Sequence, residues 1–202
     1  LGYSSTTQIG HWKNDSQLWK HSLNINPSSP VANRILGDKF RRAKEFGKAR
    51  EHYMKVVDVN TIDPDVHFHL AEMQRISGNH AQAINLYQKT LKLEPSYTEV
   101  HYSLGLSLFE EKQYDLAGVQ FQKALEAAPK SPWPYYYLGR TALNLGKHKE
   151  SIKPLQTALK LANENKEITE NVHAFLGLSF HKLGDVEASK NHLEESLNLV
   201  SD

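Results

Sequence analysis

The chain has 202 residues, with 24 Lys and Arg against 23 Asp and Glu, a formal net charge of +1 and no cysteine. That balance excludes the strongly basic face that nucleic acid requires and offers no electrostatic footprint for an anionic membrane surface. Without Cys there are no disulfides and no thiolate metal sites, and no apolar run reaches the roughly 18 residues that span a bilayer. The sequence opens at Leu1 and not at Met, with no signal peptide. It reads as a fragment or processed form, which leaves room for a membrane segment upstream.

In chain order, residues 1–29 form a linker and a capping helix over 11–26. Trp12, Trp19, Ser22, Leu23 and Pro27 fall there on the second-helix positions of a repeat, with Asp15 in place of the expected Ala. Five repeats follow, at 30–63, 64–97, 98–131, 132–165 and 170–202. Residues 166–169 are an insertion, read as an extra half-turn or a longer loop. Ser29-Pro30, Asp63-Pro64 and Ser131-Pro132 each set an N-cap oxygen before a Pro at the first helical position. Gly78, Gly146 and Gly184 sit where first helices must end and the chain turn back. Pro154 lies inside a second helix and is expected to kink or shorten it.

The repeats are defined by columns. Leu36-Gly37, Leu70-Ala71, Leu104-Gly105 and Leu138-Gly139 advance by 34 residues, and Leu176-Gly177 follows after 38. A second column is small: Ala49, Ala83, Ala117, Ser151 and Ser189. A third is large: Tyr53, Tyr87, Phe121, Leu155 and Leu193. A fourth is again fairly small: Val56, Thr90, Ala124, Ala158 and Ser196, and Pro95 and Pro129 close two repeats. Small residues facing one another let two helix backbones approach, and the bulky residue one turn later fills the gap beside them. Each unit buries only part of its apolar surface, so neighbours must stack.

These columns resemble the tetratricopeptide repeat (TPR) family, whose pattern sets Leu-Gly, Ala, Phe/Tyr, Ala and Pro at the same offsets. The resemblance implies an all-α fold, a right-handed superhelical solenoid of about five helix pairs preceded by one capping helix. It also implies a non-catalytic scaffold that binds a protein or peptide segment in a concave groove lined by the first helices.

On a helical wheel, repeat positions 3, 7, 8, 10, 11 and 14 make the packing stripe of the first helix, and positions 2, 5, 9 and 12 a second stripe roughly opposite. Position 5 reads Arg34, Phe68, Tyr102, Tyr136, Ala174, and position 9 reads Asp38, Glu72, Leu106, Arg140, Leu178. Position 12 reads Arg41, Arg75, Phe109, Leu143, His181, and position 2 adds Trp133. The N-terminal part is charged and the middle aromatic, a pattern typical of interaction surfaces. The candidate partner-binding residues are Arg34, Phe68, Tyr102, Phe109, Trp133, Tyr136, Tyr137 and Arg140. For Arg34, Arg41 and Arg75, ordinary surface pairing with Asp38 and Glu72 is the simpler expectation. Some family members clamp a partner's C-terminal carboxylate. The matching positions here hold Arg34, Asp38, His69, Glu99 and Ser103, whose acids would repel it, so that clamp is excluded.

No catalytic residues, metal ligands or cofactors are expected. His67, His101 and His173 share one repeat position, and His67 and His69 point to different sides of a helix. No His-Glu-x-x-His, phosphate loop or Gly-x-Ser-x-Gly elbow occurs. Asn14-Asp15-Ser16 fits a glycosylation sequon. A looser resemblance covers about 25 residues: Trp12, Leu18-Trp19, Asn26-Pro27 and Ala32 are similar to the start of the C-terminal repeats in polytopic O-mannosyltransferase-like membrane proteins. It implies an accessory domain that recruits acceptor protein on the extracytoplasmic (periplasmic or lumenal) face of a membrane, with a cytoplasmic location as the alternative. The last repeat has no separate polar capping helix, so its end is a candidate for self-association.

Overall fold

In a computed structural model, residues 15–58, 62–163 and 165–201 are described, and they hold eleven α-helices and no strand. They fall into two compact units, Leu1–Pro95 and Ser96–Asp202. The first contains α1 (Asp15–Ile25), α2 (Pro30–Arg42), α3 (Phe46–Asp58), α4 (Pro64–Ile76) and α5 (His80–Leu93). The second contains α6 (Glu99–Glu110), α7 (Tyr114–Ala127), α8 (Pro132–Asn144), α9 (His148–Leu161), α10 (Lys166–Leu183) and α11 (Val186–Ser201). Consecutive helices pair as antiparallel hairpins, α2 with α3, α4 with α5, α6 with α7, α8 with α9 and α10 with α11. Helix α1 packs on α2, and its Leu18, Trp19 and Leu23 are half-buried. Trp12 lies outside the described residues. None of the described helices is long and apolar enough to cross a membrane.

The hairpin turn is the same five times over. The backbone N–H groups of Glu45, Asn79, Gln113, Lys147 and Asp185 reach back to the carbonyls of Phe40, Gln74, Leu108, Ala142 and Phe180, at 2.8–3.0 Å. One residue of each turn takes a left-handed φ: Lys44 (59°), Gly78 (78°), Lys112 (58°), Gly146 (73°) and Gly184 (81°). Glycine fits that region without strain, so the three glycines were readable from sequence. The two lysines show that the turn forms without one.

The N-terminal caps divide. Ser29 Oγ accepts from the Ala32 N–H at 3.4 Å and Asp63 Oδ1 from the Asp65 N–H at 3.1 Å. Ser131, expected to cap α8, makes no such bond, and Pro132 alone marks that start. Asn165 caps α10 through Ile168 N–H at 3.0 Å. The insertion at 166–169 is neither a half-turn nor a loop. It is a whole added helical turn, which gives α10 18 residues where α8 has 13. Pro154 does not shorten α9, whose 14 residues equal those of α5 and α7.

The columns pack as their volumes demand. Ala49, Ala83 and Ala117 are fully buried, as are Tyr53, Tyr87, Phe121 and Leu155. A Cβ on Gly37 or Gly105 would lie 2.7 or 2.6 Å from the Tyr53 or Phe121 ring, so the large side chain rests on bare backbone. Serine replaces alanine only where its hydroxyl is bonded. Ser151 Oγ pairs with Ser179 Oγ at 2.7 Å, and Ser189 Oγ donates to the Gly177 carbonyl at 2.9 Å. In the last pair the large column is open, with Leu193 43% exposed, and Leu197 and Val200 of the same helix are more exposed still.

Candidate functional site

In the first unit the charged part of the stripe is bound up in its own scaffold. Tyr53 donates its hydroxyl to Asp38 Oδ1 at 2.6 Å and accepts from Arg41 Nε at 3.3 Å. Tyr87 donates to Glu72 Oε1, and Arg75 Nη2 pairs with Glu72 Oε2 at 2.9 Å. The acid at position 9 therefore serves the tyrosine of the large column. Burial, aided by Asp38, pushes the Tyr53 phenol far above its usual range. Arg34 does not pair with Asp38. Its guanidinium meets Asp63 at 3.1 Å and Asp65 at 3.5 Å, at the cap of α4. Phe68 is half-buried against the rings of His69 (5.5 Å) and Tyr87 (6.1 Å).

The second unit concentrates its aromatic residues. Arg140 of α8 lies over four rings, with its Cζ 4.7 Å from the centroid of Phe109, 5.2 Å from Phe175, 5.3 Å from Tyr137 and 5.4 Å from Tyr136. Those rings form one cluster. Tyr137 stacks on Phe121 at 5.2 Å and meets Phe109, Tyr136 and Tyr102 edge-on at 5.6, 5.1 and 6.2 Å. Tyr136 meets Trp133 at 5.9 Å and Phe175 at 5.8 Å. Cation–π contact offsets part of the desolvation of a guanidinium. Burial holds the Tyr136 phenol above its ordinary value, with Arg140 pulling it back. Beside the cluster, Thr98, Glu99, Tyr102, Ala124, Ala127, Ala128, Ser131 and Pro134 line a mostly apolar cleft of about 430 Å³.

Six of the eight candidates thus come together: Tyr102, Phe109, Trp133, Tyr136, Tyr137 and Arg140. Phe109 and Tyr136 are 6% exposed and form its floor, while Tyr102, Trp133, Tyr137 and Arg140 are half-buried above. Arg34 and Phe68 belong to the first unit and its own contacts. Phe175 was missed. It occupies repeat position 6, like Tyr137, one residue beyond the position-5 column, where the last repeat has only Ala174.

The histidine column is a set of hairpin bridges. Position 4 of the first helix meets position 23 of its partner in three repeats: Asn33 Oδ1 with His52 Nδ1 (2.9 Å), His101 Nδ1 with Gln120 Oε1 (2.8 Å), and His173 Nδ1 with His192 Nδ1 (3.0 Å). In the second repeat Leu86 holds the facing place and His67 turns to the Asp63 carbonyl at 2.9 Å. No group of three or more His, Cys, Asp or Glu among the described residues could hold a metal ion.

The His173–His192 pair can share one proton but not hold two. Both rings are held below the ordinary 6.5, first by burial, and for His192 also by His173, with Glu195 of α11 opposing. The unfolded chain takes up these protons as pH falls through about 6.5 and the folded chain resists, so stability declines below that pH. His52 and His69 are lowered too, chiefly by burial, and act in the same direction. His192→Gln reproduces the His101–Gln120 bridge. Its melting temperature is expected to fall less between pH 7 and pH 5 than that of the parent. Parallel profiles for the two proteins would show that the pair does not carry the acid sensitivity.

Residues 77–132 and 121–153 match two profiles described as tetratricopeptide repeat. Cilia- and flagella-associated protein 70 of Homo sapiens is 30% identical over 144 residues, covering 70% of this chain and 12% of that protein. The chain thus spans a small part of the curated relatives it matches. MamA (41-end) from Desulfovibrio magneticus RS-1 superimposes with a TM-score of 0.75 at 22% identity, covering 85% of this chain and 95% of that one. YrrB, whose structure is described as a TPR protein with an unusual peptide-binding site, gives a TM-score of 0.78 at 14% identity, covering 93% and 94%. With its columns, its five like turns, its helix hairpins and these matches, the chain belongs to the tetratricopeptide repeat family.

Proposed function

We propose that the chain binds a peptide segment of a partner protein on the aromatic cluster of its second unit. The observation that carries this reading is the half-buried row of Tyr102, Tyr137, Arg140 and Trp133 over a floor of Phe109 and Tyr136. The adjoining cleft of about 430 Å³ can seat a side chain. Aromatic residues with arginine are the usual anchors of protein interfaces.

The test starts from a displayed library of random peptides selected on the whole chain. Enriched sequences are synthesised and titrated against the parent and Tyr102→Ala. Affinity is expected to fall at least about tenfold in the variant, near the 1.4 kcal/mol that one decade represents, while the melting temperature changes little. No enrichment, or equal affinity for both proteins, would remove the aromatic cluster as the binding site.

The membrane-tethered, extracytoplasmic reading rests on the Trp12–Ala32 pattern, of which α1 is described as a helix packed on the first repeat. Its test is whether the intact gene product carries apolar 20-residue segments upstream of Leu1.

A further inference from the structure

We infer that the peptide recognised at this cluster carries a carboxylate, and that Arg140 receives it. The inference rests on the binding site proposed above and adds the chemistry of its ligand. Every other arginine of the stripe has an acid: Arg34 has Asp63 and Asp65, Arg41 has Asp38, and Arg75 has Glu72. Arg140 forms no ion pair among the described residues, and its Nε is buried without a hydrogen-bond partner. Its surroundings are four rings, which attract the cation through their faces, and the Tyr136 hydroxyl adds a side-chain hydrogen bond that leaves the buried Nε unsatisfied.

A guanidinium in this state is only partly compensated. Its planar fork matches a carboxylate in a bidentate bond, and the low dielectric of the surrounding rings strengthens that bond. The rings also hold the side chain in place, so little rotamer freedom is lost on binding. Arg140 stands at repeat position 9 of the fourth repeat. It lies outside the set Arg34, Asp38, His69, Glu99 and Ser103 that matches the known carboxylate clamp of the family. The carboxylate could belong to an Asp or Glu side chain or to the end of the partner chain.

The test uses the library-selected peptides as synthetic probes in four forms: acidic, with Asp and Glu changed to Asn and Gln, with a free C-terminus, and with an amidated one. They are titrated against the parent, Arg140→Met and Tyr102→Ala. Arg140→Met keeps an apolar stem among the rings. The parent is expected to prefer one acid form over its amide by about tenfold or more, and Arg140→Met to lose that preference. Loss on Asn/Gln substitution assigns a side-chain carboxylate, and loss on amidation assigns the chain end. Acid and amide forms bound equally by the parent, with Tyr102→Ala still weakening both, would overturn the carboxylate and leave the aromatic site standing. A preference unchanged in Arg140→Met would also overturn it. Binding insensitive to Tyr102→Ala would count against the site itself.

Discussion

Phe121→Ala is expected to cost about 3–5 kcal/mol, the range for emptying a fully buried aromatic site. At this chain length that lowers the melting temperature by roughly 10 °C. The Phe121 ring is fully buried, rests on the backbone of Gly105 and stacks on Tyr137 at 5.2 Å. No neighbour can refill that space without leaving its own contacts. The matched control is Leu193→Ala, in the same column of the last repeat. There the side chain is 43% exposed, so less transfer free energy is lost and less of a cavity forms, and about 1 kcal/mol is expected. Thermal or denaturant unfolding of the two variants checks the ordering. Equal losses would mean that burial does not set the size of this column's contribution.

The repeat was legible because its determinants are local and recur. A small residue facing a bulky one every 34 residues is a statement about helix contact that residue size and spacing alone can carry. What stayed hidden depended on which partner a side chain chooses. Arg34 reads as a neighbour of Asp38 along one helix, yet Asp38 is taken by the Tyr53 hydroxyl, and Arg34 turns to the next cap at Asp63. A signal for this was present: acids stand at position 9 only where the large column is tyrosine, in Asp38/Tyr53 and Glu72/Tyr87, and not opposite Phe121, Leu155 or Leu193. Ser131 failed as a local rule because a proline start needs no serine oxygen, and Pro154 does not shorten α9 because packing carries the helix through one missing hydrogen bond. The ring cluster was legible as a stripe. Phe175 was not, because it stands at repeat position 6, one residue beyond the position-5 column, where the last repeat has only Ala174.

Gly105→Val is expected to cost about 3 kcal/mol, the upper part of the overpacking range, and Gly105→Ala less. A Cβ at Gly105 would sit 2.6 Å from Phe121 Cε1, a ring that is itself fully enclosed. The second repeat shows how far a hairpin can yield, since Ala71 faces Tyr87 there with both fully buried. One methyl is therefore tolerated after a small shift, whereas the branched side chain is not. The shift has a functional reading, because Phe121 touches both Tyr137 (5.2 Å) and Tyr102 (6.1 Å). Displacing it moves two rings of the proposed binding surface. Gly37→Ala makes the same intrusion on Tyr53, at 2.7 Å, in the first unit, which contributes no residue to that surface. The two alanine variants should lose similar stability, as read by denaturant unfolding, but only Gly105→Ala should weaken the selected peptides. If Gly37→Ala weakened them as much, the loss would follow stability alone, and the coupling between the small–large column and the aromatic cluster would be absent.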